Sequence, residues 1–250
     1  MKFDVIFNVI HGTPGEDGLL QAYFQLLGLK QTSCDFYQAA LTFNKRDLLS
    51  VLKPYGIKTA KSYYLNLGDV IATDKIIAQV GLPCFVKPNR SGSSFGISKV
   101  HTLDELLPAI KTAYKEDNEI IIESFLKGTE VSVGVLNYQG EVIVLPMTEI
   151  VSENDFFDYE AKYLGKSQEI TPARISEEIK VKVEEAAKKA YKVLQMKGFS
   201  RSEFIIVDGE PFMLEMNTIP GMTNESILPQ QAKAAGITMK DLLTNAIEQA

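Results

Sequence analysis

The sequence predicts an α/β protein, and three observations carry that prediction. The chain opens on Lys2–Ile10 (KFDVIFNVI), apolar enough for a buried strand, and runs through a polar loop into an amphipathic helix from about Leu19 to Leu27. Leu82–Lys87 (LPCFVK) and Glu119–Glu123 (EIIIE) are apolar runs of strand length, and between them Leu103, Leu106, Leu107 and Ile110 recur at helical spacing. Glu203–Val207 and Phe212–Asn217 read as a hairpin with one apolar face and one polar face.

A chain of 250 residues holds one large or two small domains. Its 45% hydrophobic and 23% charged content is ordinary for a soluble globular protein, and its net charge of −6 argues against broad nucleic-acid binding. No apolar run reaches membrane-spanning length and no signal-peptide pattern opens the chain. Cys34 and Cys84 lie in apolar settings, which suits free thiols in a reducing compartment, here taken as the cytoplasm.

Taken in order, the opening strand leads into His11-Gly12-Thr13-Pro14-Gly15-Glu16-Asp17-Gly18. A strand–loop–helix start is where open α/β folds bind ligands, but this loop lacks the Gly-Lys-Ser/Thr ending of a Walker A motif. His11 and Glu16 either order the loop through hydrogen bonds or touch a substrate. Asn44 is placed to cap a helix from about Arg46 to Pro54. After Lys87 comes Pro88-Asn89-Arg90-Ser91-Gly92-Ser93-Ser94-Phe95-Gly96, rich in backbone and hydroxyl donors that suit phosphate oxygens. Ile97–Val100 continues a sheet, Thr102 caps a helix over Asp104–Glu116, and the strand Glu119–Glu123 runs into Ser124–Gly128. Glu130–Leu136 and Glu141–Met147 form a hairpin about residues 137–140. Residues 149–175 lack periodicity, and a connection this long is usually functional or disordered. Helices over Ser176–Met196 and about Thr238–Gln249 complete the chain.

The hairpin carries the densest chemistry. A three-residue connection, Asp208-Gly209-Glu210, sets Glu203 opposite Glu215. Alternation puts Glu215, Asn217 and Arg201 on one face, with Met213 two residues before Glu215 on that side. Phe204, Ile206, Phe212, Leu214 and Met216 fall on the other face. Two carboxylates and an amide suit Mg²⁺, which takes few protein ligands and completes its shell with water and substrate phosphates. The plainer alternative is a half-solvated hairpin with surface acids.

R-S-E followed by L-E-M-N-T-I-P-G-M-T-N-E-S resembles the C-terminal signature of the D-alanine–D-alanine ligases, members of the ATP-grasp superfamily. H-G-x-x-G-E-D-G-x-x-Q, V-K-P-x-x-x-G-S-S-x-G and D-Y-E-A-K-Y resemble other segments of the same family, so that the resemblance spans nearly the whole chain. It implies an α+β ATP-grasp fold: a remnant of a Rossmann-like N-terminal domain over residues 1–43, a small subdomain over 44–127, and a large subdomain over 128–250 with a substrate-covering loop at 149–175. It also implies that the family's first βα unit, with its glycine turn and ammonium-binding glutamate, is absent. On that expectation the chain binds MgATP but ligates poorly.

The activity implied is ATP-dependent joining of two D-alanines for peptidoglycan synthesis, with Mg²⁺ (Mn²⁺ as the alternative ion) held by Glu203, Glu215 and Asn217. Lys45, Lys87, Ser94 and Lys162 would meet phosphate oxygens. Glu123, Phe125, Leu126 and Met213 would surround adenine, and Glu130 would take the ribose hydroxyls. Ser93 and Tyr163 would orient substrate, with Tyr163 favouring the dipeptide over D-alanyl-D-lactate. Arg201 and the Gly221 amide would stabilise an oxyanion, His11 and Glu16 would face the first substrate, and Ser226 with the Ile227 amide would hold the second carboxylate. Two residues depart from the family pattern: Glu203 stands where many members have Asp, and Phe125 where many have Trp. The partners implied are D-alanine and ATP, with a homodimer for full-length members. The other readings are a nucleotide-binding fragment without ligase activity and a different ATP-grasp carboxylate–amine ligase.

Overall fold

The protein is described here by a computed structural model covering residues 3–152 and 167–250. Lys162, Tyr163 and most of the expected covering loop lie outside the described residues. In chain order the elements are α1 (Leu19–Leu26), α2 (Phe36–Phe43), α3 (Lys45–Leu52), a 3₁₀ turn (Lys53–Tyr55), β1 (Lys58–Thr59), β2 (Ser62–Asn66), α4 (Thr73–Val80), β3 (Cys84–Pro88), β4 (Ser98–Val100), α5 (Leu103–Ala113), β5 (Glu119–Ser124), β6 (Thr129–Tyr138), β7 (Glu141–Val144), β8 (Thr148–Ser152), β9 (Ser167–Ile170), α6 (Glu177–Val193), β10 (Phe199–Val207), β11 (Glu210–Asn217), α7 (Ile227–Ala234) and α8 (Met239–Glu248).

Helix starts follow side-chain chemistry. Asn44 Oδ1 accepts from the Asp47 amide at 3.1 Å and begins α3. Thr102 and Glu105 form a capping box on α5, and Ser176 accepts from the Ile179 amide at the start of α6.

Among the described residues the strands form two sheets. The smaller has the order β2-β5-β3-β4, with all three pairings antiparallel. The larger runs β1-β11-β10-β6-β8-β9, with β7 also pairing β6 and only β1–β11 parallel. Each sheet has its own core. Val86, Leu106, Ile110, Ile120 and Ile122 are fully buried in the smaller unit. In the larger, Val131, Val133, Val183, Tyr191, Phe204 and Met213 pack with Leu48, Leu49 and Leu52 of α3. α3 spends its apolar face on the larger core, and β1 extends the larger sheet. Two short crossings join the units, residues 60–61 and 125–128.

Three expectations are corrected. The opening segment is not a buried strand: among the described residues Ile6 forms one parallel bridge to Gln31, while Phe3, Val9 and Ile10 are exposed. Apolar patterning gives a strand only where a sheet edge is available, and one bridge is not a ladder. The flanks of residues 149–175 are also not structureless, since β8 and β9 pair from Glu149↔Ile170 to Ser152↔Ser167.

The third correction concerns the hairpin. Its connection has two residues, not three: Asp208 (φ 50°) and Gly209 (φ 77°) are both left-handed, as a type I′ turn requires, and Val207 pairs Glu210. Pairing continues to Phe204↔Met213 and then jumps to Glu203↔Glu215, leaving Leu214 as the extra residue of a β-bulge. The expected pairing of the two carboxylates is therefore found, but the additional residue sits at Leu214 instead of in the turn. Alternation is reset there, so Met213 faces the core with Phe204, both at 0% exposure, and not an adenine site.

Candidate active site

β10, β11 and β6 place the functional side chains. Glu203 sits across from Glu215 on one side and Ser132 on the other, and Arg201 across from Asn217 and Gly134. Paired residues point to the same side of a sheet, so these groups share a face. The Arg201 guanidinium donates to Ser132 Oγ at 3.1 Å and forms a close ion pair with Glu203 Oε1. Glu203 Oε2 is buried without a hydrogen-bond partner among the described residues. An orphaned buried carboxylate oxygen is costly unless something completes it. A divalent cation shared with Glu215 and Asn217 would do so. Asn217 Oδ1 already accepts from the Ile219 amide at 2.8 Å, and a carbonyl oxygen retains a second lone pair. The donor set is all oxygen with two carboxylates, which fits Mg²⁺ rather than a soft metal.

Lys45 and Arg201 are held against carboxylates of this face, and Lys87 of the smaller sheet against one of its own sheet. Lys45 Nζ donates to the Ser91 carbonyl at 2.8 Å and lies 3.4 Å from Glu215 Oε2. Lys87 Nζ lies 2.8 Å from Glu123 Oε2. Burial works against the Lys87 charge, but Glu123, with Glu215 and Glu130 behind it, outweighs burial and raises its pKa above the ordinary lysine value. For Arg201 burial prevails and draws the pKa down, against Glu215, Glu169, Glu16 and Glu130. Ammonium and guanidinium groups of this kind form charge-assisted hydrogen bonds to anionic oxygens.

The Gly/Ser loop runs over this face. Ser93 (φ 52°) and Ser94 (φ 60°) are consecutive left-handed residues. Runs of unusual backbone like this cluster at ligand-binding loops. At the crossing between the units, the Phe125 amide donates to the Pro83 carbonyl, its ring lies 6.1 Å from that of Phe85, and Lys99 Nζ sits 4.4 Å above it. Leu126 follows, half-buried. The Glu123 side chain is 2% exposed and pairs Lys87.

His11 and Glu16 do order their own loop. Glu16 Oε2 accepts from the Gly12 amide at 2.8 Å, and Glu16 Oε1 lies 3.4 Å from His11 Nδ1. The loop also borders the site, since a Cβ on Gly92 would come within 3.9 Å of Glu16 Oε2. The hydrogen bond to Glu16 raises the His11 pKa from 6.5, against partial burial. A folded-state pKa above the unfolded value means that this contact is fully present below pH 6.5 and is lost as pH rises through the raised value. The His11 Cε1 proton should accordingly titrate above 6.5 by NMR, and Glu16→Gln should bring its midpoint down. A midpoint unmoved by Glu16→Gln would show that the contact is not formed.

Glycine is required where α7 approaches. A Cβ on Gly134 would meet Gln231 Oε1 at 2.5 Å and Leu228 Cδ1 at 2.8 Å. Gln231 in turn donates to the Ser132 carbonyl at 2.8 Å, holding α7 against β6 beside Arg201. Ser226, the N-cap residue of α7, turns its hydroxyl to the Thr223 amide at 3.1 Å and sits where a Cβ on Gly221 would be. The Ile227 amide opens the helix, a position suited to a carboxylate.

Sequence reasoning missed Glu169 on β9. Burial raises its pKa while Arg201 opposes the rise. No sequence signal could have found it, because it lies in a stretch without periodicity.

The family model for the C-terminus of D-Ala D-Ala ligases matches residues 51–248. The D-alanine–D-alanine ligase of Flavobacterium johnsoniae is 77% identical over 248 residues, covering 99% of this chain and 77% of that protein. That of Christiangramia forsetii is 65% identical over 250 residues, covering 100% and 77%. Among solved structures, the VanG D-Ala:D-Ser ligase from Enterococcus faecalis superposes with a TM-score of 0.91 at 39% identity, over 100% of this chain and 73% of that one. The Bacillus anthracis D-alanine–D-alanine ligase complexed with ATP does so with a TM-score of 0.86 at 29% identity, over 98% and 78%.

Proposed function

The chain belongs to the D-alanine–D-alanine ligase family, and from that premise we propose that it joins two D-alanines with ATP to give D-alanyl-D-alanine for peptidoglycan precursor synthesis. The observation that carries the site assignment is the cluster of Lys45, Lys87 and Arg201: Lys45 pairs with Glu215 and Arg201 with Glu203 on the face that also bears Asn217, and Lys87 pairs with Glu123 of the smaller sheet.

The first D-alanine carboxylate attacks the γ-phosphorus of ATP, the bond to the bridging oxygen breaks, and ADP leaves. The acyl phosphate formed is a far better leaving group than the carboxylate was. The neutral amine of the second D-alanine then adds to the acyl carbon, the C–O bond to phosphate breaks, and the amine proton passes to solvent. Each step needs alignment and charge neutralisation more than protein covalency. Lys45, Lys87, Ser94 and Lys162 neutralise and bind phosphate oxygens. Arg201 and the Gly221 amide stabilise the oxyanion of the tetrahedral intermediate. Ser226 and the Ile227 amide hold the second carboxylate, and Ser93, Tyr163, His11 and Glu16 position the substrates. Glu203, Glu215 and Asn217 would hold Mg²⁺, which supplies further charge neutralisation at the phosphates. Glu130 takes the ribose, and the crossing at Glu123, Phe125 and Leu126 borders the adenine.

The two buried thiols, Cys34 raised to about 12 and Cys84 to about 11 by burial, are inert and fit a reducing, cytoplasmic setting. No described helix is long and apolar enough to cross a membrane. The expected homodimer is checked by light scattering. Incubating the protein with ATP, Mg²⁺, D-alanine and an equal amount of D-serine, followed by mass spectrometry, tests the activity. D-alanyl-D-alanine with matching ADP release is the expected product. D-alanyl-D-serine in excess would overturn the acceptor assignment, and nucleotide binding without either dipeptide would favour the fragment reading.

A further inference from the structure

We propose that Arg46 is a positioning residue for Lys45, coupling the Gly/Ser loop to the Glu215 side of the site. The proposal rests on the reading above of Lys45 as a phosphate ligand.

Arg46 is only 8% exposed although it lies in the first turn of α3. The apolar residues of that helix, Leu48, Leu49 and Leu52, belong to the larger core. The guanidinium points the other way and is spent on the smaller sheet. Nε donates to the Ile120 carbonyl at 3.1 Å, and Nη2 to the same carbonyl and to that of Leu65. Nη1 donates to Asn66 Oδ1 at 2.9 Å, and the group lies 5.0 Å from the centre of the Tyr64 ring. Its backbone contributes as well. The Arg46 amide donates to Asn89 Oδ1 at 2.9 Å and the Lys45 amide to the Asn89 carbonyl at 3.3 Å, where the Gly/Ser loop leaves β3.

α3 is thus bolted on one side to the core under β11 and on the other to β2, β5 and the start of the loop. Lys45, the residue before Arg46, spans the same junction, from the Ser91 carbonyl in the loop to Glu215 on β11. A long cationic side chain reaches a phosphate productively only if its Cα is fixed relative to both walls. Buried fork geometry on three acceptors is what fixes it, and an ammonium cannot reproduce that fork.

The test is a double-mutant cycle on MgATP affinity, measured by calorimetry with the non-hydrolysable analogue, alongside the KM for D-alanine. Arg46→Lys should weaken nucleotide binding about tenfold or more, the scale of one charge-assisted hydrogen bond, and leave the D-alanine KM within about twofold. In a Lys45→Met background the same Arg46→Lys change should have little further effect, because the residue through which Arg46 acts is gone. Asn66→Ala, at an exposed position, should move affinity in the same direction by a smaller factor and supplies the cycle if Arg46→Lys does not fold. Additive effects in the cycle, or equal losses for nucleotide and D-alanine, would overturn the positioning role. A wild-type chain that fails to bind the analogue would instead overturn the reading of Lys45 on which it rests.

Discussion

Glu215→Gln should lower Mg²⁺-dependent turnover by about a hundredfold or more. Loss of groups that merely orient metal ligands costs about 10–100-fold, so loss of one of two anionic ligands should cost at least the upper end of that range. The geometry adds a second effect. Lys45, whose side chain is 9% exposed, lies 3.4 Å from the Glu215 carboxylate and would face a neutral amide instead. The substitution should therefore lower the melting temperature of the metal-free protein as well as raise the Mg²⁺ concentration needed for turnover. Titrating Mg²⁺ at saturating ATP separates the two effects. A variant with wild-type Mg²⁺ dependence would remove Glu215 from the metal site.

Met213→Asp should abolish folding rather than ATP binding alone. Met213 is wholly buried against the larger core, and truncating such a side chain to alanine already costs about 2–5 kcal/mol. A carboxylate adds the cost of burying an unpaired charge or of taking up a proton to avoid it. The sum is comparable to the whole stability of an ordinary domain, about 5–15 kcal/mol. Leu214→Asp is the contrasting variant. Leu214 is half-buried and sits at the bulge next to Glu215, so its substitution should leave a cooperative melt and weaken nucleotide affinity. Circular dichroism melts and calorimetry on the two variants check this. A folded Met213→Asp protein with weakened nucleotide binding would restore the uninterrupted alternation.

That contrast shows what could be read in advance. Glu203 opposite Glu215, and Arg201 opposite Asn217, were read from a three-residue turn, and the structure has both pairs because the bulge at Leu214 supplies the residue that its two-residue turn lacks. Caps were readable because Asn44 and Thr102 bond within a few residues of themselves. The bulge was hidden because Phe212, Met213 and Leu214 are all apolar, so no change of polarity marks where alternation resets. The pairing of Lys87 with Glu123 joins residues on neighbouring strands, and local pattern says nothing of which strands adjoin. The buried fork of Arg46 was not readable, since carbonyl acceptors at Leu65 and Ile120 leave no trace in residue type. The opening KFDVIFNVI erred the other way: its composition is that of a strand, but strand formation is decided by neighbours.

The unpaired residue at Leu214 also works as a slip joint. On one side of it the hairpin keeps time with its turn; on the other, Glu203 is clamped between Ser132 and Glu215 and keeps time with β6. Were Glu210 taken into the turn, the strand would lose its bulge, and the carboxylates would stay in phase with each other. The tip of the hairpin can thus vary in length while the chemistry at its base holds still, a separation that one surplus residue in the middle of a strand makes possible.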